Sequence, residues 1–477
     1  MNLPSCLPLA ALAAAVLAGC AATAPGDALP GATPLPHGER PAVALPVRLD
    51  DPGLGLNPAV LAPPPPDWWA GFQAPALVDL MQQAEAGSAT LAQALERLRQ
   101  AELSLRQTQA AAGPSVGLSA GANARRSAAA GGDWAATRSS SLGLSAGYEL
   151  DLWGRLAADE QAAQATVAQR GFDLASARLS LQASVATAWL NGLASAERLR
   201  LARDNLALAE RLLAIVQARH RAGVATPLEV AQQQTTVLSQ RAALLPLQLA
   251  QRQYATALAL LLGRTPQDYT PPVHPWAQLQ VPAPALVQPA ELLLRRPDLA
   301  AQEAQLGAAQ ANVAAARAAL LPSLSLSAGA SLGSDTLWVL ADPSRALSLG
   351  ASLAYTLFDG GQRQTAVALS QSQRQVLVLG YGEALRAALK EVDDALGGAE
   401  RQRQQTLAQA EVLAQARRAL ALAEAQYRAG SGNLQAVLEA QRTVFSAQDG
   451  LTSLELARLS AAVELFRALG GGWRLQG

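Results

Sequence analysis

Apolar and polar residues alternate strictly from Ser141 to Leu150, which is the period of a strand with two different faces. One face carries Leu142, Leu144, Ala146, Tyr148 and Leu150, and the other carries only Ser, Gly and Glu. The alternation stops at Trp153. Residues 154–221 contain no proline and are rich in Ala, Leu, Gln and Arg, so they predict one very long helix. The pattern therefore indicates a strand that passes directly into a helix.

The same succession of patterns returns near Ser348, which indicates an internal duplication. We predict a first repeat at 73–265, a connector at 266–290 and a second repeat at 291–477. The alternating segments predict strands over 115–124, 141–152, 323–333 and 347–358. The long periodic segments predict helices over 154–221, 226–263, 361–428 and 433–469. At 1.5 Å per residue, each of the longest helices extends about 100 Å, and the heptad spacing of small residues in the first one is typical of a coiled coil.

The N-terminus has the features of a lipoprotein signal peptide at 1–19. Its apolar run, Leu7–Leu17, is too short to span a bilayer. The run ends in Leu17-Ala18-Gly19-Cys20, which resembles the lipobox of bacterial lipoproteins and implies a covalent lipid on Cys20. Ala21 follows, where an Asp would favour the inner membrane, so we expect the outer membrane, with the chain facing the periplasm. Residues 20–72 are rich in Pro and Gly and predict an extended arm.

The four predicted strands each have about ten residues, an apolar face and a Ser/Gly face, as outer-membrane barrel strands do. Four strands cannot close a barrel, and open edges are not tolerated in lipid. Two copies would supply eight strands and three would supply twelve, of which only the larger barrel holds a water-filled lumen. The aromatic residues at the helix-side strand ends are predicted to lie at the membrane interface. They are Tyr148, Trp153, Tyr355 and Phe358.

Several motifs follow the lipobox in a fixed order: Tyr148–Arg155, Arg295–Leu299, Leu357–Gly361 and Ala468–Trp473. With these motifs together, the chain resembles the TolC-like outer-membrane efflux lipoproteins of the NodT type, which serve resistance-nodulation-division pumps. The resemblance implies a mixed α and membrane β fold, with a trimeric twelve-stranded barrel and a long α-helical coiled-coil tunnel. It implies a passive exit duct for pump-delivered drugs or other toxic small molecules. The implied partners are two further copies, a periplasmic adaptor (membrane fusion protein), an inner-membrane pump and outer-membrane lipid.

The resemblance also implies that two helix-turn-helix tips form a narrow periplasmic entrance that contacts the adaptor. The matching positions are Gly223, Thr226, Leu228 and Glu229 in the first tip, and Gly430, Leu434 and Glu439 in the second. Three copies of either glutamate around an axis would repel one another and attract cations. Two other interpretations stay open. Glu229 is also at the N3 position of a capping box whose N-cap is Thr226. Glu439 also suits a solvated helix face.

Composition narrows the remaining possibilities. The 37 basic and 37 acidic residues balance, which gives no electrostatic reason to expect nucleic acid. The 3 histidines, His37, His220 and His274, lie in an arm, a tip and a connector, so we expect neither a metal site nor another cofactor. No catalytic motif is present, and we do not expect an enzyme. The alternative to a channel is a non-conducting structural lipoprotein, a coiled coil that bridges the membranes.

Overall fold

The computed structural model describes residues 64–282, 295–337 and 343–473, apart from the side chain of residue 268. The predicted signal peptide, Cys20 and most of the predicted arm at 20–72 lie outside these ranges, as does part of the predicted connector. Within them, the chain forms seven α-helices and four β-strands, and the strands come in two consecutive pairs. Short 3₁₀ helices occupy Trp68–Phe72, Pro266–Asp268 and Trp276–Gln278.

The helices are α1 (Pro75–Gly87), α2 (Ala89–Ala111), α3 (Arg155–Arg221), α4 (Pro227–Leu261), α5 (Pro297–Ala318), α6 (Gln362–Ala429) and α7 (Leu434–Ala468). The strands are β1 (Ser115–Ser127), β2 (Ala135–Leu150), β3 (Ser323–Ser334) and β4 (Ser344–Ala354). Each half of the chain thus contains two strands followed by a long and a shorter helix. The four predicted long helices have bounds that differ from the observed ones by at most two residues.

The strands form one antiparallel sheet in the order β1-β2-β3-β4. β1 and β2 are longer at their hairpin end than the predicted 115–124 and 141–152, because pairing continues through Arg125↔Thr137 and Arg126↔Ala136. The apolar alternation has already ended there. Backbone hydrogen bonds do not depend on which side chain a residue carries, so the ladder extends beyond the apolar pattern. The connection between β1 and β2 is consequently short and covers only residues 128–134.

At the other end, the predictions placed the ends of β2 and β4 too late. β2 ends at Leu150 instead of residue 152, and β4 ends at Ala354 instead of residue 358. The last pairs are Leu150↔Leu324 and Ala354↔Ser323. The residue before Ser323 is Pro322, which has no N–H group to donate, so the ladder between β3 and β4 cannot continue past Ala354. The ladder between β2 and β3 already stops at Leu324, one residue short of Ser323.

Glycines start both long helices that follow the strands. Gly154 (φ 73°) is the N-cap of α3, and Gly361 (φ 85°) is the N-cap of α6. Both lie in the left-handed region, which glycine enters at little cost and which turns the chain sharply. The two repeats therefore share the glycine N-cap, although β2 ends closer to its helix than β4 does.

The main core lies around the middle of α3, far along the chain from the turns at the helix tips. Trp68 and Phe72 from the segment before α1 are buried there against Trp189 of α3 and Phe466 of α7. Trp68 stacks on Phe466 with 5.3 Å between ring centroids. A second core cluster joins the ends of α3 and α6 to the start of α7. Each protomer is therefore held together in the middle of its helices and again at its tips.

Arg296 fastens the start of the second repeat to its end. The guanidinium donates to both carboxylate oxygens of Asp298, to Glu391 Oε2 at 2.8 Å and to the carbonyl oxygen of Ala468 at 3.2 Å. Burial lowers the pKa of Arg296, but the ion pairs with Asp298 and Glu391 outweigh it, and the net shift is upward. Gly470 (φ 86°) packs here as well, because a Cβ atom would collide with the carbonyl oxygen of residue 295.

Candidate functional site

The sheet has one apolar face that spans all four strands. The register places Leu118 opposite Leu144, Leu144 opposite Ala330, and Ala330 opposite Leu347. Directly opposed residues share a face, so the apolar positions of the four strands form continuous rows. Large apolar side chains on this face are exposed, including Leu347 at 89% and Leu349 at 91%. Within one chain nothing described covers this surface.

The opposite face is lined by serine and glycine in a regular arrangement. Serine on one strand is paired with glycine on the next, as in Ser119↔Gly143 and Gly329↔Ser348. The hydroxyl of Ser119 donates to the carbonyl oxygen of Gly143 at 3.3 Å. A Cβ atom added to Gly329 would lie only 2.7 Å from Ser348 Oγ. The serine hydroxyls thus lie over the glycines, which gives a smooth, polar surface without charged side chains between Arg125 near one end and Glu149 near the other.

The predicted interface aromatics are all near the helix-side end of the sheet, but only Tyr148 lies within a strand. Trp153 follows β2, and its Nε1 donates to the carbonyl oxygen of Pro322 at 2.6 Å. Tyr355 and Phe358 follow β4 and are exposed. The ladder aligns Tyr148 with Ala351 through Leu326, so Tyr355 is four positions further along than the residue aligned with Tyr148.

In a barrel, residues at one height are not directly opposite one another, because strands tilt by about 35–45° to the axis. An offset between Tyr148 and Tyr355 along the ladder is therefore compatible with one membrane level. That the two tyrosines share a level at the membrane interface stays a prediction.

Acidic and basic side chains brace each strand-to-helix junction. Arg155 donates to Glu149 Oε1 of β2 at 2.9 Å and to Asp159 Oδ2 of α3 at 3.2 Å. Asp151 Oδ2 accepts from the backbone N–H of Ala157 at 2.8 Å, and so caps the first turn of α3. In the second repeat, Asp359 accepts from the N–H groups of residues 361 and 363. Both aspartates belong to motifs named above, and an Asp shortly before a helix is the signal that could have indicated this capping role.

In the first tip, α3 ends at Arg221 and α4 begins at Pro227. Gly223 has φ 75° and turns the chain. Thr226 Oγ1 accepts from the N–H of Glu229 at 3.3 Å, and Glu229 Oε2 accepts from the N–H of Thr226 at 2.7 Å. The predicted capping box is therefore formed. Leu228 is exposed beside it at 66%.

In the second tip, α6 ends at Ala429, and its C-cap residue Gly430 adopts φ 79°. Asn433 is the N-cap of α7, and its Oδ1 accepts from the N–H of Ala436 at 2.9 Å. Leu434 is buried, at 2% exposure, in the second core cluster. Glu439 lies one turn further on and is exposed. Leu434 thus supports the tip from inside, whereas Glu439 lies on its surface.

Arg219 and Tyr427, which the sequence analysis did not select, join the two tips. Arg219 Nη1 donates to the carbonyl oxygen of Tyr427 at 2.5 Å, and the guanidinium lies 4.6 Å from the centre of the Tyr427 ring. Tyr427 is 2% exposed. Burial and the nearby Glu229 carboxylate raise the pKa of its hydroxyl, and Arg219 opposes this effect. Glu229 therefore lies against the contact between the tips while it caps α4.

The described ranges contain neither a membrane-spanning helix nor a cluster of metal ligands. No helix there combines the length and the apolar character needed to cross a membrane. No cluster of three or more His, Cys, Asp and Glu side chains in those ranges is placed to hold a metal ion. His220, one of the histidines weighed as a ligand, has its Nδ1 2.8 Å from the carbonyl oxygen of Ala225 within the first turn.

Comparison with known proteins identifies the family to which this architecture belongs. The outer membrane efflux protein family matches residues 80–264 and 289–471, once in each half of the chain. The chain belongs to the outer membrane efflux protein family. The resemblance identified from the sequence motifs is thereby confirmed, and so is the mixed fold of barrel strands, helical tunnel and internal duplication. The protein is an outer-membrane efflux channel.

Individual members of the family resemble the chain over most of its length. The pyoverdine export outer membrane protein OpmQ of Pseudomonas aeruginosa is 39% identical over 417 residues, 85% of this chain and 87% of that protein. The cation efflux system protein CusC of Escherichia coli O157:H7 is 29% identical and covers 94% of this chain and 97% of its own length. The structure of the outer-membrane channel OprN superposes with a TM-score of 0.82 at 25% identity, over 91% of this chain and 98% of OprN.

Proposed function

We propose that three copies of this chain pool their strands into a twelve-stranded barrel, with the helices continuing as one tunnel into the periplasm. The observation that carries the proposal is the sheet itself, in which β1 and β4 are the edge strands. Open edges are not stable in lipid, and the exposed apolar face needs a lipid partner. Twelve strands leave the Ser/Gly face around a lumen wide enough for water and solutes.

The proposal is tested by recording ion currents through the purified full chain in planar lipid bilayers. A trimer with a continuous lumen gives discrete conductance steps, and its mass in detergent is three times that of the chain. The non-conducting coiled coil considered above gives neither steps nor a barrel. Silent bilayers combined with a stable trimer would contradict the conduit, whereas a monomer would contradict the pooled barrel.

We propose further that Cys20 carries the lipid that anchors the chain to the outer membrane. Support comes from the lipobox alone. One acyl chain binds a membrane only marginally, so the anchor adds to the hold of the barrel. Metabolic labelling with a fatty acid is expected to mark the wild-type chain and not Cys20→Ser. A label that persists in Cys20→Ser would contradict this assignment.

The tips are proposed as the periplasmic entrance and as the surface that the adaptor contacts. Gly223, Thr226 and Leu228 lie in or beside the first turn, with Leu228 available for an apolar contact. Gly430 forms the second turn, which Leu434 supports. Glu229 and Glu439 provide the carboxylates that three-fold symmetry would repeat around the entrance. Crosslinking from Leu228 to the adaptor of the same system would test the contact.

The cargo is proposed to be chosen by the inner-membrane pump and not by the duct. The names of OpmQ and CusC refer to cargoes of different kinds, a pyoverdine and a cation. The Ser/Gly face of the sheet is uncharged over most of its length and favours neither sign of charge. We propose that transport involves no catalytic step and no cofactor. A knockout complemented by this chain together with different pumps would then export what each pump delivers.

A further inference from the structure

Two arginines occupy equivalent positions in the two repeats. Arg138 lies in β2 and Arg345 lies in β4, 207 residues later, which is also the separation of Tyr148 from Tyr355. Each arginine comes ten residues before the tyrosine of its own repeat. An even separation keeps both residues on one face of a strand. The duplication has therefore preserved an arginine near the hairpin end of each strand and a tyrosine at its helix-side end, within β2 and directly after β4.

The register confirms that both arginines belong to the apolar face. Arg345 is opposite Leu332, which is itself opposite Leu142 in the apolar rows of the sheet. Arg138 is opposite Ala124 in β1, four residues along β2 from Leu142 and so on the same face. Both side chains are exposed. A barrel built from this sheet would present them outward, on the surface that meets the membrane.

The spacing matches the height of a membrane. Ten residues of strand extend about 33 Å, and a tilt of about 40° reduces this to roughly 25 Å along the barrel axis. The apolar band of outer-membrane barrels is also about 25 Å tall. The tyrosines then mark the border on the helix side, which is periplasmic because the long helices leave from it. The arginines mark the outer border, where barrels commonly carry a second ring of aromatic residues.

The arginines lack a carboxylate partner in the part of the chain that the structure describes. Asp133 and Asp335 lie in the turns beyond the strands, and neither forms an ion pair with Arg138 or Arg345 among the described residues. A guanidinium at the edge of the hydrocarbon layer is costly unless an anion meets it. Phosphate suits it well, because the planar fork of donors binds phosphate oxygens in pairs.

We propose that Arg138 and Arg345 bind the phosphate groups of lipid headgroups in the outer leaflet of the membrane. The inference rests on the barrel proposed above, which would repeat the pair three times around its circumference. Arg126 is on the same face, one row further out, where it is opposite Ala136. It adds a third guanidinium per chain beyond the border. The outer surface of the channel is in this way matched to a phosphorylated lipid.

The test measures binding of lipid A to the purified full-length trimer by native mass spectrometry, with dephosphorylated lipid A as the comparison. The double variant Arg138→Gln/Arg345→Gln is expected to bind phosphorylated lipid A about 30-fold more weakly. Each of the two arginines is expected to contribute a factor of about five to the affinity. The matched control is Arg125→Gln. Arg125 is next to Arg126 on β1 and, by the alternation of the strand, lies on the opposite face.

Two results would overturn the proposal: equal weakening by Arg125→Gln, or equal affinity of the wild-type trimer for the dephosphorylated lipid. The double variant Arg138→Lys/Arg345→Lys keeps the charge but not the planar fork, so it is expected to bind more tightly than the Gln double variant and more weakly than the wild type, which separates lost recognition from lost folding. Conductance of the Gln double variant is expected to equal that of the wild type. A wild-type trimer that binds lipid A through these arginines without conducting would contradict the proposed conduit and leave this inference standing.

Discussion

Arg219 is the residue that joins the two entrance tips within one chain. Arg219→Ala removes its hydrogen bond to the carbonyl of Tyr427 and its contact with the aromatic ring. We expect a loss of about 1–3 kcal/mol in the contact between the tips. Because an entrance built from these tips would then open more often, the mean current through bilayer-reconstituted channels should rise severalfold.

The control for this variant is Arg211→Ala. Arg211 lies on the same helix, is exposed and forms no hydrogen bond or ion pair within the described part of the chain. It should leave the current unchanged. An equal rise in both variants would mean that positive charge near the tip, and not the contact with Tyr427, limits the current.

Asp151 and Asp359 are expected to stabilise the two strand-to-helix junctions equally. Glycine is the N-cap residue of both long helices and has no side chain to accept a hydrogen bond, so these carboxylates accept from the first-turn N–H groups instead. Asp→Ala at either position should cost about 1 kcal/mol, seen as a lower temperature of helix loss by circular dichroism. Asp→Asn keeps an acceptor oxygen and should retain most of the stability. If the Asn and Ala variants lose their helices at the same temperature, the negative charge, and not the capping hydrogen bond, provides the stability.

The residues of the first tip show which side-chain roles a sequence can predict. The box of Thr226 and Glu229 depends on a spacing of three residues along one helix, so local pattern was sufficient. The contact of Arg219 with Tyr427 joins residues 208 positions apart. No local pattern indicates such a pair, because the fold alone decides which helix ends meet.

At the scale of elements, the four long helices were predictable to within two residues and the strand ends were not. Helix ends are fixed locally, by Gly154, Thr226, Gly361 and Asn433 at the N-cap positions. A strand ends where its partner can no longer pair. Pro322, which directly precedes β3, therefore ends the pairing of β4, although nothing in the sequence of β4 indicates it.

Arg296 links the two ends of the second repeat through its hydrogen bonds. Arg296→Met leaves the buried carbonyl of Ala468 without this donor and removes the partner of two half-exposed carboxylates, so we expect a loss of about 2–3 kcal/mol. The fraction of trimer that survives heating on a gel measures this loss. Arg317→Met, an exposed position on the same helix α5, is the matched control. Equal heat resistance of the two variants would show that the repeat is held by apolar packing alone.

At the scale of the molecule, a single chain is incomplete. The sheet has two open edges and an uncovered apolar face. The period-2 pattern and the duplication predicted the barrel strands, and the need for closure predicted additional copies. The number of copies depends on contacts between chains, which neither the pattern nor a single chain contains. For this reason the trimer rests on the argument from lumen size.

The carboxylates at the entrance should give the assembled channel its preference for cations. Three chains would bring six of them, two from each protomer, around one axis, and a ring of like charges raises the local concentration of counter-ions. In Glu229→Gln/Glu439→Gln the preference should fall, so the reversal potential in a KCl gradient should move toward zero. Glu229 is also a cap, and Gln retains an acceptor oxygen for it, which keeps the tip folded. Glu411→Gln, an exposed position on α6 away from the turn, should leave the reversal potential unchanged. A double variant that stays as cation-selective as the wild type would place the selectivity elsewhere along the tunnel.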